Sequence, residues 1–140
     1  MSKKKITGGK RQRGIFKNHK KNEPLISVIM VCLNSQKYLA KSINSVLKQS
    51  YKSFELIIVD GGSTDDTLKI LKKNNNKIDF WISEKDKSHF DAMNKGIKLS
   101  RGSIISILNS DDVYYINALK IVANYFKKYQ KIDFLFGSVI

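Results

Sequence analysis

Phe54-Glu55-Leu56-Ile57-Ile58-Val59-Asp60-Gly61-Gly62-Ser63-Thr64-Asp65-Asp66 is the stretch on which the reading of the chain turns. Phe54–Val59 is a short, nearly continuous apolar run, as a parallel strand buried on both faces requires. It stops at a carboxylate followed by a Gly-Gly turn. A second run, Ile104–Leu108, ends in a similar way, in Asn109-Ser110-Asp111-Asp112. Ligands of open α/β sheets sit in the crevice outside the carboxyl ends of the strands. Two acidic clusters delivered to one sheet edge therefore point to a bound cation, a polar ligand rich in hydroxyls, or both.

Outward from this stretch the chain alternates. Leu25–Leu33 is the longest apolar run and reads as the first strand. Ser35 is placed to cap the helix that follows, where Leu39, Ile43, Val46 and Leu47 recur at helical spacing. After Asp60 a short helix is expected near Asp65–Lys73, with Ser63 and Asp66 at capping-box spacing. The turn cluster Asn74–Asn76 leads to a third strand, Ile78–Ser83. A polar loop, Glu84–Ser88, then precedes a helix around Phe90–Leu99 that stops at Gly102. Beyond the fourth strand, Ile116, Leu119, Val122 and Phe126 mark one face of an amphipathic helix, and Ile132–Phe136 reads as the start of a fifth strand. Strand–helix–strand repeats with short links give right-handed crossovers. The fold expected is a three-layer α/β/α, Rossmann-like domain with a mainly parallel sheet.

With 140 residues the chain supports one small domain, and no apolar run approaches the ~20 residues of a membrane helix. The single cysteine, Cys32, lies inside the first strand and reads as a core residue. One cysteine forms no internal disulfide, so a reducing, cytoplasmic compartment is the default. The net charge of +14 is uneven: residues 1–24 hold nine basic side chains against Glu23, a net +8. That segment has three glycines and no sustained apolar periodicity, so a disordered basic tail is expected, with Pro24 marking the start of a domain over residues 25–140. Such a tail offers a contact for nucleic acid or an anionic membrane surface.

The usual phosphate cradles are missing. Cys32-Leu33-Asn34-Ser35-Gln36 follows the first strand without the glycines of a dinucleotide fingerprint, and Gly8-Gly9-Lys10 lies outside any strand–turn–helix context. A diphosphate bound at this edge needs another counter-charge, and the acidic residues imply a divalent cation.

Residues 25–140 resemble the family 2 glycosyltransferases, which share the GT-A fold. The likeness rests on five segments in order: Ile26–Met30 with Asn34, Ser45–Tyr51, Val59–Thr67, Asp91–Ile97 and Leu108–Asp112. The resemblance implies transfer of a sugar from a nucleotide-diphospho-sugar to a glycan, lipid or protein acceptor, with inversion. It implies Mn²⁺ or Mg²⁺ held by Asp112, and a nucleotide-sugar pocket formed by Asn34, Asp60, Lys87, Asn94 and Asp111. Asp111 would meet the ribose or assist the metal, and Lys87 or Lys95 would counter the diphosphate. Asn109 stands where many members carry the first Asp of the metal motif, and Gly61 where many carry a second Asp beside the base. His89 and Asp91 have the spacing of a metal pair but, on a loop-to-helix edge, are not assigned as one, and Asp65 and Asp66 read as helix-start residues.

In the resembled family the general base comes from sequence beyond the donor-binding half, and this sequence stops at Ile140. The expectation is a half-domain truncated at its C-terminus, with no residue assigned as the catalytic base. Two alternatives stand beside the transferase: a non-catalytic remnant that binds a nucleotide or a partner, and a basic-tailed nucleic-acid or anionic-surface binder.

Overall fold

The computed structural model describes residues 4–137. Five strands form one sheet: β1 (Ile6–Gly8), β2 (Ile26–Cys32), β3 (Phe54–Asp60), β4 (Phe80–Ser83) and β5 (Ile104–Asn109), in the order β1-β4-β3-β2-β5. All neighbouring pairs are parallel except β1 with β4. The helices are α1 (Leu39–Leu47), α2 (Thr67–Lys73), α3 (His89–Leu99) and α4 (Ala118–Lys128).

Every residue of β2 and β3 is buried, because helices cover both faces of the central strands. On one face Val28, Met30, Leu56 and Ile58 pack with Ile43 and Val46 of α1, Leu71 of α2, and Leu119 and Ala123 of α4. On the other, Ile29, Val31 and Val59 pack with Ala92 and Met93 of α3. The expected three layers are therefore present. The β4–α3–β5 crossover carries the chain past β2 to the far side of the sheet. This makes the β2–β5 junction the point where strand order reverses, the place where such sheets bind ligands.

The amino-terminal segment departs from expectation. In place of a disordered tail ending at Pro24, residues 6–8 add an antiparallel strand to the β4 edge, with Ile6 opposite Ser83 and Gly8 opposite Trp81. Glycine is required there, since a Cβ on Gly8 would overlap the Trp81 indole. Asn75 Oδ1 accepts from both Gly9 N (2.6 Å) and Trp81 Nε1 (2.9 Å), tying the strand to the turn before β4. A 3₁₀ turn at Lys10–Arg13 then directs Arg11 inward. Its guanidinium donates to Glu55 Oε2 at 2.7 Å and to Leu99 O at 2.8 Å. Glu55 is fully buried in β3, and its Oε1 accepts from Ser27 Oγ and Arg101 N. Apolar periodicity does not register such a segment, because backbone pairing and one buried ion pair order it. Residues 1–3 of the expected tail lie outside the described residues.

Smaller corrections concern caps and the carboxyl-terminal run. Ser35 does not cap α1 with its side chain: the helix starts at Leu39, and Ser35 O accepts from Tyr38 N and Leu39 N. Ser63 bonds back to Asp60, and α2 begins only at Thr67, with Asp66 at its N-cap making no side-chain cap bond. Ile132–Phe136 forms no strand among the described residues. Its pattern suits a strand, but none of the five strands pairs with it, and Phe134 and Phe136 stand exposed.

Candidate nucleotide-sugar site

Loops leaving the carboxyl ends of four strands enclose a cavity of about 740 Å³. Val31 and Cys32 end β2 and Leu33–Ser35 and Tyr38 follow it, Gly61 follows β3, Asp86–His89 follow β4, and Asn109–Asp111 close β5. Three residues expected from the sequence, Asn34, Lys87 and Asp111, line this space together.

Asn34 has a left-handed backbone (φ 50°), a conformation that asparagine tolerates better than most residues. Its Oδ1 accepts from Thr64 N at 2.9 Å, and its own N donates to Ser63 Oγ at 2.8 Å. These bonds pin the Gly61–Thr64 loop beside the β2 exit. Asp60 completes the pinning from below. Its carboxylate is fully buried and accepts from Ser63 N, Ser63 Oγ and Ser83 Oγ (2.6 Å). Asp60 is thus the anchor beneath the cavity floor, and it does not line the cavity. Cys32 also lies against Asp60; burial, then the nearby carboxylate charge, push its thiol well above the ordinary range. A buried thiol of this kind is inert, in keeping with its core assignment.

At the β5 exit, Ser42 Oγ donates to Ser110 O at 2.7 Å and Ser35 Oγ pairs with Ser110 Oγ at 2.8 Å, fixing the turn that presents Asp111. Asp112 belongs to the same turn but does not line the cavity; its Oδ2 accepts from Asn109 Nδ2 at 3.2 Å. Both carboxylates remain on the carboxyl edge that carries Asp60, two strands away. Among the described residues no group of three His, Cys, Asp or Glu side chains clusters to hold an ion unaided. Asp111 and Asp112 instead offer hard oxygen donors suited to an ion completed by waters and a ligand's phosphates, the common arrangement for Mg²⁺.

Two expected residues are placed elsewhere. Asn94 is exposed on α3 and does not line the cavity. Lys95 is not free to meet a diphosphate: it pairs with Asp86 Oδ1, with Glu84 Oε1 at 2.9 Å and with Asp91 Oδ2 at 3.6 Å. Burial alone would lower the Lys95 pKa, but its bonds to Asp86 and Glu84 outweigh burial and raise it. Lys87, exposed at the cavity, is therefore the available cation of the two. Asp91 accepts from Lys87 N while Ser88 Oγ caps its own N–H, so it serves the start of α3 rather than a pair with His89. Asp65 likewise accepts from Thr67 N and Gln36 N, as a residue that shapes the start of α2.

The sequence reading missed Asp86. It lies in a polar loop, and nothing in its neighbours' hydropathy reveals that its side chain is only 7% exposed. The signal available was the spacing of Glu84, Asp86, Asp91 and Lys95, three acids within reach of one lysine across the start of a helix.

Comparison with known proteins agrees with this geometry. The model of Glycosyl transferase family 2 matches residues 27–139. Chondroitin synthase of Escherichia coli is 37% identical over 111 residues, covering 77% of this chain and 16% of that protein. The E. coli UDP-Glc:alpha-D-GlcNAc-diphosphoundecaprenol beta-1,3-glucosyltransferase WfgD is 34% identical over 115 residues, covering 81% of this chain and 45% of that protein. Among solved structures, S. aureus TarS 1-349 in complex with UDP-GlcNAc superposes with a TM-score of 0.67 at 29% identity, over 76% of this chain and 32% of that one. The chain thus spans less than half the length of these relatives. The matched residues contain the whole carboxyl edge from β2 to β5, and the chain belongs to glycosyltransferase family 2.

Proposed function

We propose that the cavity at the carboxyl edge binds a nucleotide-diphospho-sugar together with a divalent metal, and that the domain supplies the donor side of an inverting sugar transfer. The observation that carries this reading is the convergence of Asn34, Lys87 and Asp111 on one cavity at the strand-order reversal, over a loop anchored by Asp60. In this reading Asn34 and the Gly61–Thr64 backbone shape the nucleoside end, Asp111 receives ribose hydroxyls, and Lys87 neutralises part of the diphosphate charge. Asp112, with Asp111, would hold Mn²⁺ or Mg²⁺, which stabilises the negative charge growing on the departing diphosphate. S. aureus TarS bound to UDP-GlcNAc supports a nucleotide-sugar ligand for this family.

The test is isothermal titration of UDP and GDP into the protein with and without Mn²⁺ or Mg²⁺, repeated on Asp112→Asn. The reading expects metal-dependent binding that weakens by about tenfold or more in the variant, since one ligand charge beside two phosphates is lost. Metal-independent binding that the variant leaves unchanged would remove the metal from the mechanism.

A further inference from the structure

Among the described residues, Asp86 is the cavity-lining residue with a buried side-chain atom that has no hydrogen-bond partner. Its Oδ1 pairs with Lys95, but its Oδ2 is buried and has no hydrogen-bond partner. A buried acceptor left unpaired is unfavourable, so such an oxygen is expected to have a use. Lys95 cannot turn to it without giving up Glu84 and Asp91, which lie at 2.9 and 3.6 Å from the same ammonium. Those contacts hold the carboxylate in one orientation, with Oδ2 directed to the Gly61 side.

Gly61 gives this placement its meaning. A Cβ built there would lie 3.3 Å from Asp86 Oδ2 and 3.5 Å from Leu33 Cδ1. A carboxylate side chain at 61 would press a second negative group onto Asp86. Gly61 leaves that point of the cavity wall open, and the carboxylate beside it comes from the β4–α3 loop. The exposed Leu33 side chain flanks the same point, and Asp86 is itself one of the residues that line the cavity.

We propose that Asp86 Oδ2 accepts the ring N–H of a keto nucleobase, uracil N3–H or guanine N1–H, and so makes this cavity selective against bases whose ring nitrogen is a bare acceptor. The inference rests on the donor-binding reading above and adds the residue that reads the base. Burial, the leading influence on this carboxyl, raises its pKa, which fits an oxygen that lacks a donor until a ligand supplies one. Lys95, Glu84 and Asp91 act as positioning residues for the carboxylate. Cytosine N3 presents a lone pair to the same oxygen and is repelled; adenine N1 does the same.

The experiment measures affinities of the full chain, with Mn²⁺ present, for UDP, CDP and N3-methyl-UDP, and for GDP, ADP and N1-methyl-GDP. One charge-assisted hydrogen bond predicts that UDP or GDP binds about tenfold or more tightly than its methylated and bare-acceptor counterparts. In Asp86→Asn, whose amide can present either an acceptor or a donor, the preference should fall to within about threefold. Glu23→Gln, which removes a carboxylate at the opposite sheet edge, should keep it. The ligand comparison on the unaltered chain stands even if Asp86→Asn folds poorly. Equal affinity for UDP, CDP and N3-methyl-UDP, together with equal affinity across the guanine set, would overturn the assignment while leaving donor binding intact. So would an undiminished preference in folded Asp86→Asn. Failure of every nucleotide to bind would instead defeat the donor-binding reading, and this inference with it.

Discussion

Arg11→Ala should be among the most destabilising single changes in this chain, although Arg11 lies in a segment whose sequence suggests disorder. Glu55 is fully buried, and Arg11, with a side chain 10% exposed, is its counter-charge at 2.7 Å. Removing one partner of a buried pair strands the other charge in a medium that solvates it poorly, at a cost of about 3–5 kcal/mol. Two facts favour the lower end: Glu55 Oε1 retains Ser27 Oγ at 2.6 Å and Arg101 N at 2.8 Å. The alanine also gives up the bond to Leu99 O at 2.8 Å and the stacking on Phe80. At a urea m-value of about 2 kcal/mol/M, a loss of about 3 kcal/mol lowers the unfolding midpoint by about 1.5 M. Urea titration followed by Trp81 fluorescence and circular dichroism measures it. The double variant Arg11→Met with Glu55→Gln, which leaves no charge unpaired, should recover most of the loss. A midpoint shift below about 0.3 M in Arg11→Ala would show that water reaches Glu55 and that the amino-terminal segment is not part of the fold.

Further expectations follow from the same structure. Gly8→Ala should destabilise by about 1–3 kcal/mol through the clash with Trp81, and a thermal melt reads this directly. Asp79 is buried; that burial raises its pKa above 3.8, against the opposing bond from Leu56 N. A carboxyl raised in the folded state contributes stability that is present below 3.8 and lost as pH rises through its folded pKa. Asp79→Asn keeps an acceptor for Leu56 N, so it should remove this part of the pH dependence, as urea midpoints at pH 4 and pH 7 would show. For the basic segment we propose contact with an anionic lipid surface, supported by the exposed Ile15 and Phe16 among Arg13, Lys17, Lys20 and Lys21. Lys20→Glu with Lys21→Glu should weaken binding to phosphatidylglycerol-containing vesicles by about tenfold and flatten its salt dependence; unchanged co-sedimentation would dismiss the contact.

The central strands were legible in the sequence because burial on both faces leaves a direct trace, a continuous apolar run ended by a polar residue. The shared edge of Asp60, Asp111 and Asp112 followed from their places just past those runs. What each carboxylate touches did not follow. Asp60 stands at a ligand position by its place in the strand, and the structure adds that Ser63 and Ser83 bond its buried carboxylate. β1 was illegible because three residues carry no periodicity, and its order comes from the β4 backbone, Asn75 and the Arg11–Glu55 pair. Glu55 itself interrupts an apolar strand, a trace of a buried partner 44 residues away that pattern alone cannot supply. Deleting the amino-terminal segment would uncover the β4 edge and strand Glu55, so the truncated chain is expected to be less stable in the same urea titration.

The central claim is that the carboxyl-edge cavity is where nucleotide diphosphate binds, and backbone amide chemical shifts test it most directly. On titration with Mg²⁺ and UDP or GDP, the largest changes should fall on Asn34, Gly61, Lys87 and Asp111. The opposite sheet edge, around Lys20, Ser103 and Lys127, should remain unchanged. Saturable shifts confined to that opposite edge, with the Asn34, Gly61, Lys87 and Asp111 amides unmoved, would contradict the account.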